Sequence, residues 1–116
     1  MTPEEFYITI GESYTDVMER LKREDMIIRF IKMFAEENLL AKLKDAMASG
    51  DVKAAFVAAH SLKGNCMSLG FVRLQKIAEK MTELLRNNLP EEAAPLLEPL
   101  EREYEQIIEI IRKLDN

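Results

Sequence analysis

The chain has little of what most chemistry needs. Among 116 residues there is one cysteine, Cys66, one histidine, His60, and no tryptophan. A lone thiol forms no internal disulfide and leaves no cysteine pair for zinc, so redox and thiolate-metal chemistry fall away. Glycine and proline number four each, too few for a loop-rich or low-complexity chain. No apolar run approaches the ~18 residues that cross a bilayer. The stretch after Met1, TPEEFYITIGESY, lacks the basic start and apolar centre of a secretory signal, so a cytoplasmic location without membrane association is expected. Basic residues are also in deficit. With 16 Lys and Arg against 21 Asp and Glu the net charge is −5, and no basic run offsets it, which argues against nucleic acid as a partner. A glycine-rich nucleotide loop is missing too, so autophosphorylation with ATP is not expected.

What remains is helix-forming. Apolar residues make up 47% of the chain, and no segment alternates apolar and polar as a strand does. Thr2, Pro3, Glu4 and Glu5 mark a first helix ending near Gly11, and a second fits between Ser13 and Lys22. From Glu24 a longer stripe of Ile27, Phe30, Ile31, Phe34, Leu39, Leu43 and Met47 predicts one helix to Ser49, stopped by Gly50. Asp51 caps the next, Val52 to Leu69, ended by Gly70. Another runs from Phe71 to Asn87. The last lies between Glu91 and Leu114, where Pro95 and Pro99 predict either a late start or a kink. The expected architecture is all-α: one domain over 1–116, with short N-terminal helices over 1–22 laid across one end of an antiparallel four-helix bundle over 24–115.

The segment from Ala58 to Gly70, AAHSLKGNCMSLG, carries more than packing. At about 100° per residue, Ala55, Ala59, Leu62, Cys66 and Leu69 form one buried stripe, while His60, Lys63, Gly64 and Met67 centre roughly 140° away. The imidazole is therefore expected to face solvent, with Lys63 and Gly64 one turn further along. A mid-helix glycine costs roughly 0.5 to 1 kcal/mol relative to alanine, so a bare position beside an exposed imidazole suggests that something approaches closely. Lys63 supplies a positive charge suited to a phosphoryl group. An exposed nucleophilic nitrogen, a cation and a clearing together point to phosphoryl chemistry; the plain alternative is a solvated lysine and a tolerated glycine.

HSLKGNCMSLG, from His60 to Gly70, resembles the signature of the histidine-containing phosphotransfer (HPt) domains. In that signature Lys and Gly follow the histidine by three and four residues, and a second Gly follows by ten. With Leu62 and Leu69 also in place, chance agreement of all six residues at these spacings is on the order of 10⁻⁵ for a chain of this length at average composition. The resemblance covers nearly the whole chain. It implies a phosphorelay intermediate in which His60 accepts a phosphoryl group from a receiver-domain aspartate, or from a partner histidine kinase, and passes it to another receiver. It further implies that Lys63 offsets phosphoryl charge and that Gly64 admits the receiver. Many members carry a Gln on the following helix that hydrogen-bonds the imidazole; the corresponding position here is Thr82, whose reach is shorter, with Glu79 and Glu83 at a similar level, so that one of the three is the candidate to orient the ring instead, the plain reading of Thr82 being a helix-surface threonine.

An imidazole titrates in general near pH 6.5 (roughly), so its neutral nucleophilic form needs no strong base. No cofactor is expected, and the Mg²⁺ that assists such transfers would come with the receiver. Phe56 and Met67, on the His60 stripe, would form an apolar rim for that partner. The chain is expected to be a monomer and a phosphocarrier without autokinase activity; its start at Met1 and its end just past the last helix favour a free-standing protein. A helical adaptor or dimerisation module with an unphosphorylated His60 is the alternative. A metallo-enzyme would need a second histidine or facing carboxylates.

Overall fold

The computed structural model describes residues 1–114, so the expected bundle end at residue 115 lies outside it. Those residues form an all-helical bundle. Helix α1 spans Pro3–Ile10 and opens on a reciprocal cap, in which the Thr2 side chain accepts from the Glu5 amide and the Glu5 carboxylate accepts from the Thr2 amide at 2.8 Å. Helix α2 spans Tyr14–Leu21, with Ser13 as its cap.

The helix expected over residues 24–49 is two. Helix α3 covers Glu24–Glu37 and α4 covers Leu39–Ser49, with Asn38 between them at φ 58. The apolar stripe continues through the break, which is why its drift looked like that of one helix. Asparagine is among the few residues that enter the left-handed region readily, and Leu39, Leu40 and Leu43 beyond it stay buried.

Helix α5 spans Val52–Leu69. The Asp51 carboxylate accepts from the Ala54 amide at 3.0 Å at one end, and Gly70, at φ 72, stops it at the other. Helix α6 covers Val72–Arg86 and α7 covers Pro90–Ala93. A 3₁₀ turn over Ala94–Leu96 leads into α8, Leu97–Ile111. Pro95 lies in that turn and Pro99 in the first turn of α8, where amides have no partner within the helix and proline is tolerated. The late start is therefore the solution adopted for the long last helix.

Helix α5 packs most extensively on α6 and next on α4. Its inward face, Ala55, Ala58, Ala59, Leu62, Cys66 and Leu69, is buried, and three alanines let the neighbouring backbones come close. Helices α1 and α2 do more than cover the bundle. Phe6 and Tyr7 are fully buried, and the Tyr7 hydroxyl donates to the Leu69 carbonyl at 2.6 Å. The Arg20 guanidinium donates to the Ser68 carbonyl at 3.1 Å and 3.3 Å, and Glu12 accepts from the Arg73 amide at 3.1 Å in the first turn of α6. These bonds satisfy helix-end groups that would otherwise lack partners, and they fix the turn between α5 and α6. Phe34 meets Phe71 edge-on at 5.1 Å beside them. None of the helices among the described residues is long and apolar enough to cross a membrane.

Candidate functional site

The middle of α5 presents His60 to solvent on the face opposite its alanines. One turn on, Gly64 is exposed, with nothing within 4 Å of where its Cβ would stand. Its backbone is ordinary helix, so neither strain nor crowding calls for glycine here. The position is open to approach from outside. Lys63 is partly exposed and makes no ion pair among the described residues. From Val52 to Leu69 the helix carries Lys53 and Lys63 and no carboxylate, so α5 itself is positively charged in a chain of net charge −5.

Around the imidazole the contacts are aromatic. Phe56, half-buried one turn back, stacks on the His60 ring with centroids 5.7 Å apart and planes inclined by 13°. The Arg86 guanidinium of α6 lies over the Phe56 ring, 5.4 Å from its centroid, and pairs with Glu83 one turn earlier in α6. Met67, two turns beyond His60, is 50% exposed and extends the apolar margin. Phe56 also borders a groove of about 420 Å³ with Val52, Lys53, Leu85, Arg86 and Asn88.

Of the three candidates for orienting the ring, none hydrogen-bonds it. Thr82 is neither on the helix surface nor at the imidazole: it is 1% exposed, and its hydroxyl donates to the Ala78 carbonyl at 2.7 Å. Its own helix thus takes the proton that a ring nitrogen would have accepted. Glu79 and Glu83 are exposed, and Glu83 is engaged with Arg86. No hydrogen bond joins His60 to another described side chain. Sequence reasoning missed Arg86, whose place over Phe56 depends on how α6 crosses α5; no spacing along the chain carries that information.

Cys66 is fully buried, and burial pushes its thiol well above the usual range. It is a small core residue without nucleophilic character.

The family model described as Hpt domain matches residues 29–110, well over half of the chain. No curated protein matches, and no solved structure does.

Proposed function

Because the chain belongs to the Hpt domain family, and so serves phosphotransfer in two-component signalling, we propose that His60 is its phosphoacceptor. A neutral ring nitrogen attacks the phosphorus of a receiver's aspartyl phosphate. The P–N bond forms as the P–O bond to the aspartate breaks, and the carboxylate leaves with the electron pair. Transfer onward is the same displacement in reverse, with a second receiver's carboxylate as nucleophile. Such reactions depend on in-line positioning and on stabilising charge over the phosphoryl oxygens.

Lys63 stabilises that charge. Among the described residues it has no carboxylate partner to give up, so its attraction to the phosphoryl group is not offset by a broken ion pair. Gly64 leaves the space through which the receiver's active site reaches the imidazole, and Met67 lines the contact. Mg²⁺ belongs to the receiver. The protein acts as a monomeric carrier in the cytoplasm, loaded by a receiver or a sensor kinase.

The observation that carries this reading is the open space at Gly64 beside an exposed His60. Incubation with phosphorylated receivers tests it. The expected product is an acid-labile, base-stable adduct that is absent from a His60→Gln variant; label retained in that variant refutes the assignment. A His60→Ala protein that still functions in cells would instead favour the helical adaptor.

A further inference from the structure

Resting on the reading of His60 as phosphoacceptor, we infer that Phe56 is the positioning residue for its imidazole, and that Arg86 holds Phe56 in place. An acceptor nitrogen must be aimed, since the torsion that turns an imidazole about its bond to Cβ is broad and weakly restrained. A hydrogen bond is one way to aim it, and none is made among the described residues. Thr82 spends its hydroxyl proton on Ala78, and Glu83 is engaged with Arg86.

The stack fills that gap. Near-parallel rings with centroids 5.7 Å apart and planes inclined by 13° are offset and overlap at their edges, so Phe56 borders the imidazole and favours a ring plane parallel to its own. Both imidazole nitrogens stay free of hydrogen bonds among the described residues. A hydrogen bond would occupy one nitrogen, whereas a stack leaves both available for the incoming phosphorus and the remaining proton.

Phe56 in turn is fixed from the neighbouring helix. Arg86, over its ring at 5.4 Å, is held by Glu83. The aim of the His60 ring is thereby tied to the packing of α6 on α5. The burial of Phe56 supports this role as well. The cluster of Phe6, Tyr7, Phe34 and Phe71 forms at the turn between α5 and α6, while Phe56 stands apart from it, half-exposed against the one histidine of the chain.

The competing role for Phe56 is an apolar rim that only binds the receiver, and the two separate in kinetics. A rim residue raises the receiver concentration needed for half-maximal rate. A positioning residue lowers the maximal rate at saturating receiver. Phe56→Leu is expected to lower the maximal rate on the order of tenfold with little change in half-saturation, and Phe56→Tyr to restore it. Arg86→Gln, which leaves the phenyl ring in place, is expected to give a smaller loss in the same direction, reversed by Arg86→Lys.

A second readout does not involve transfer. With one histidine, the imidazole carbon-bound protons give a single set of NMR signals. The Phe56 ring current should displace them in the wild type and in Phe56→Tyr, and release them in Phe56→Leu. Unchanged imidazole signals in Phe56→Leu overturn the inference, as does a wild-type maximal rate or a loss confined to half-saturation. Wild-type protein that takes no label from any receiver refutes the phosphoacceptor reading instead, and the positioning role falls with it even if the signals confirm the stack.

Discussion

Replacing Gly64 separates what the fold wants from what the site wants. Glycine in a helix interior is less favourable than alanine by roughly 0.5 to 1 kcal/mol, because the unfolded chain has more freedom to lose. At Gly64 nothing opposes that gain, since a Cβ would meet no atom within 4 Å and the backbone is regular helix. The full benefit should therefore appear, and for a chain of 116 residues it corresponds to a rise of about 2 to 4 °C in Tm. Gly64→Gln should also fold, its side chain passing into solvent. Transfer should move the other way, falling from Gly to Ala to Gln as a side chain beside His60 keeps the receiver's aspartyl phosphate from in-line distance. Thermal melting and the phosphotransfer rate, measured on the same three proteins, test both halves. A Gly64→Ala protein that melts below the wild type would refute the structural half. A Gly64→Gln protein that transfers normally would refute the docking half.

Lys63→Ala should leave Tm nearly unchanged while slowing phosphotransfer, and Lys63→Arg should recover part of the rate because the charge remains; equal rates for wild type and alanine would make the lysine ordinary. Gly70→Ala should destabilise, in contrast to Gly64. Its φ of +72 costs about 1 to 2 kcal/mol for a residue with a Cβ, and that Cβ would stand 2.6 Å from Val17 Cγ2, so a Tm at or above the wild type would count against the packing of α2 on this turn. Cys66 should resist alkylation near neutral pH in the folded protein and react in denaturant, since it is fully buried and its thiol is pushed up; rapid native labelling would contradict the buried stripe of α5.

Periodicity made α5 legible because one helix face answers to one packing surface. Ala55, Ala59, Leu62, Cys66 and Leu69 are all buried, and His60 and Gly64 are both exposed. The break at Asn38 was not legible, because the apolar stripe continues through it and only the backbone turns. Prolines were informative in kind but not in outcome: Pro95 and Pro99 announced an irregular start, and packing decided that a short helix and a 3₁₀ turn should absorb it. The burial of Thr82 was not legible, because counting back from a turn gives the level of a residue along a helix and not the direction of its side chain. The same limit hid Arg86, which meets Phe56 only across the interface of two helices.

The site is placed where the fold can tolerate it. Helix α5 carries a destabilising glycine and a partly exposed lysine near its centre, and neither is there for packing. Its order comes from its ends and its back. Asp51 caps the start, Tyr7 and Arg20 take the Leu69 and Ser68 carbonyls at the finish, and Asn65 bonds Glu37 of α3 at 3.2 Å. Behind, small side chains bring α4 and α6 against it. Each buried or charge-assisted hydrogen bond of this kind contributes on the order of 1 kcal/mol, comparable to the glycine penalty. By fixing the end of α5 the short N-terminal helices help to hold the helix on which the proposed acceptor sits, and they offset the cost of a glycine at its middle.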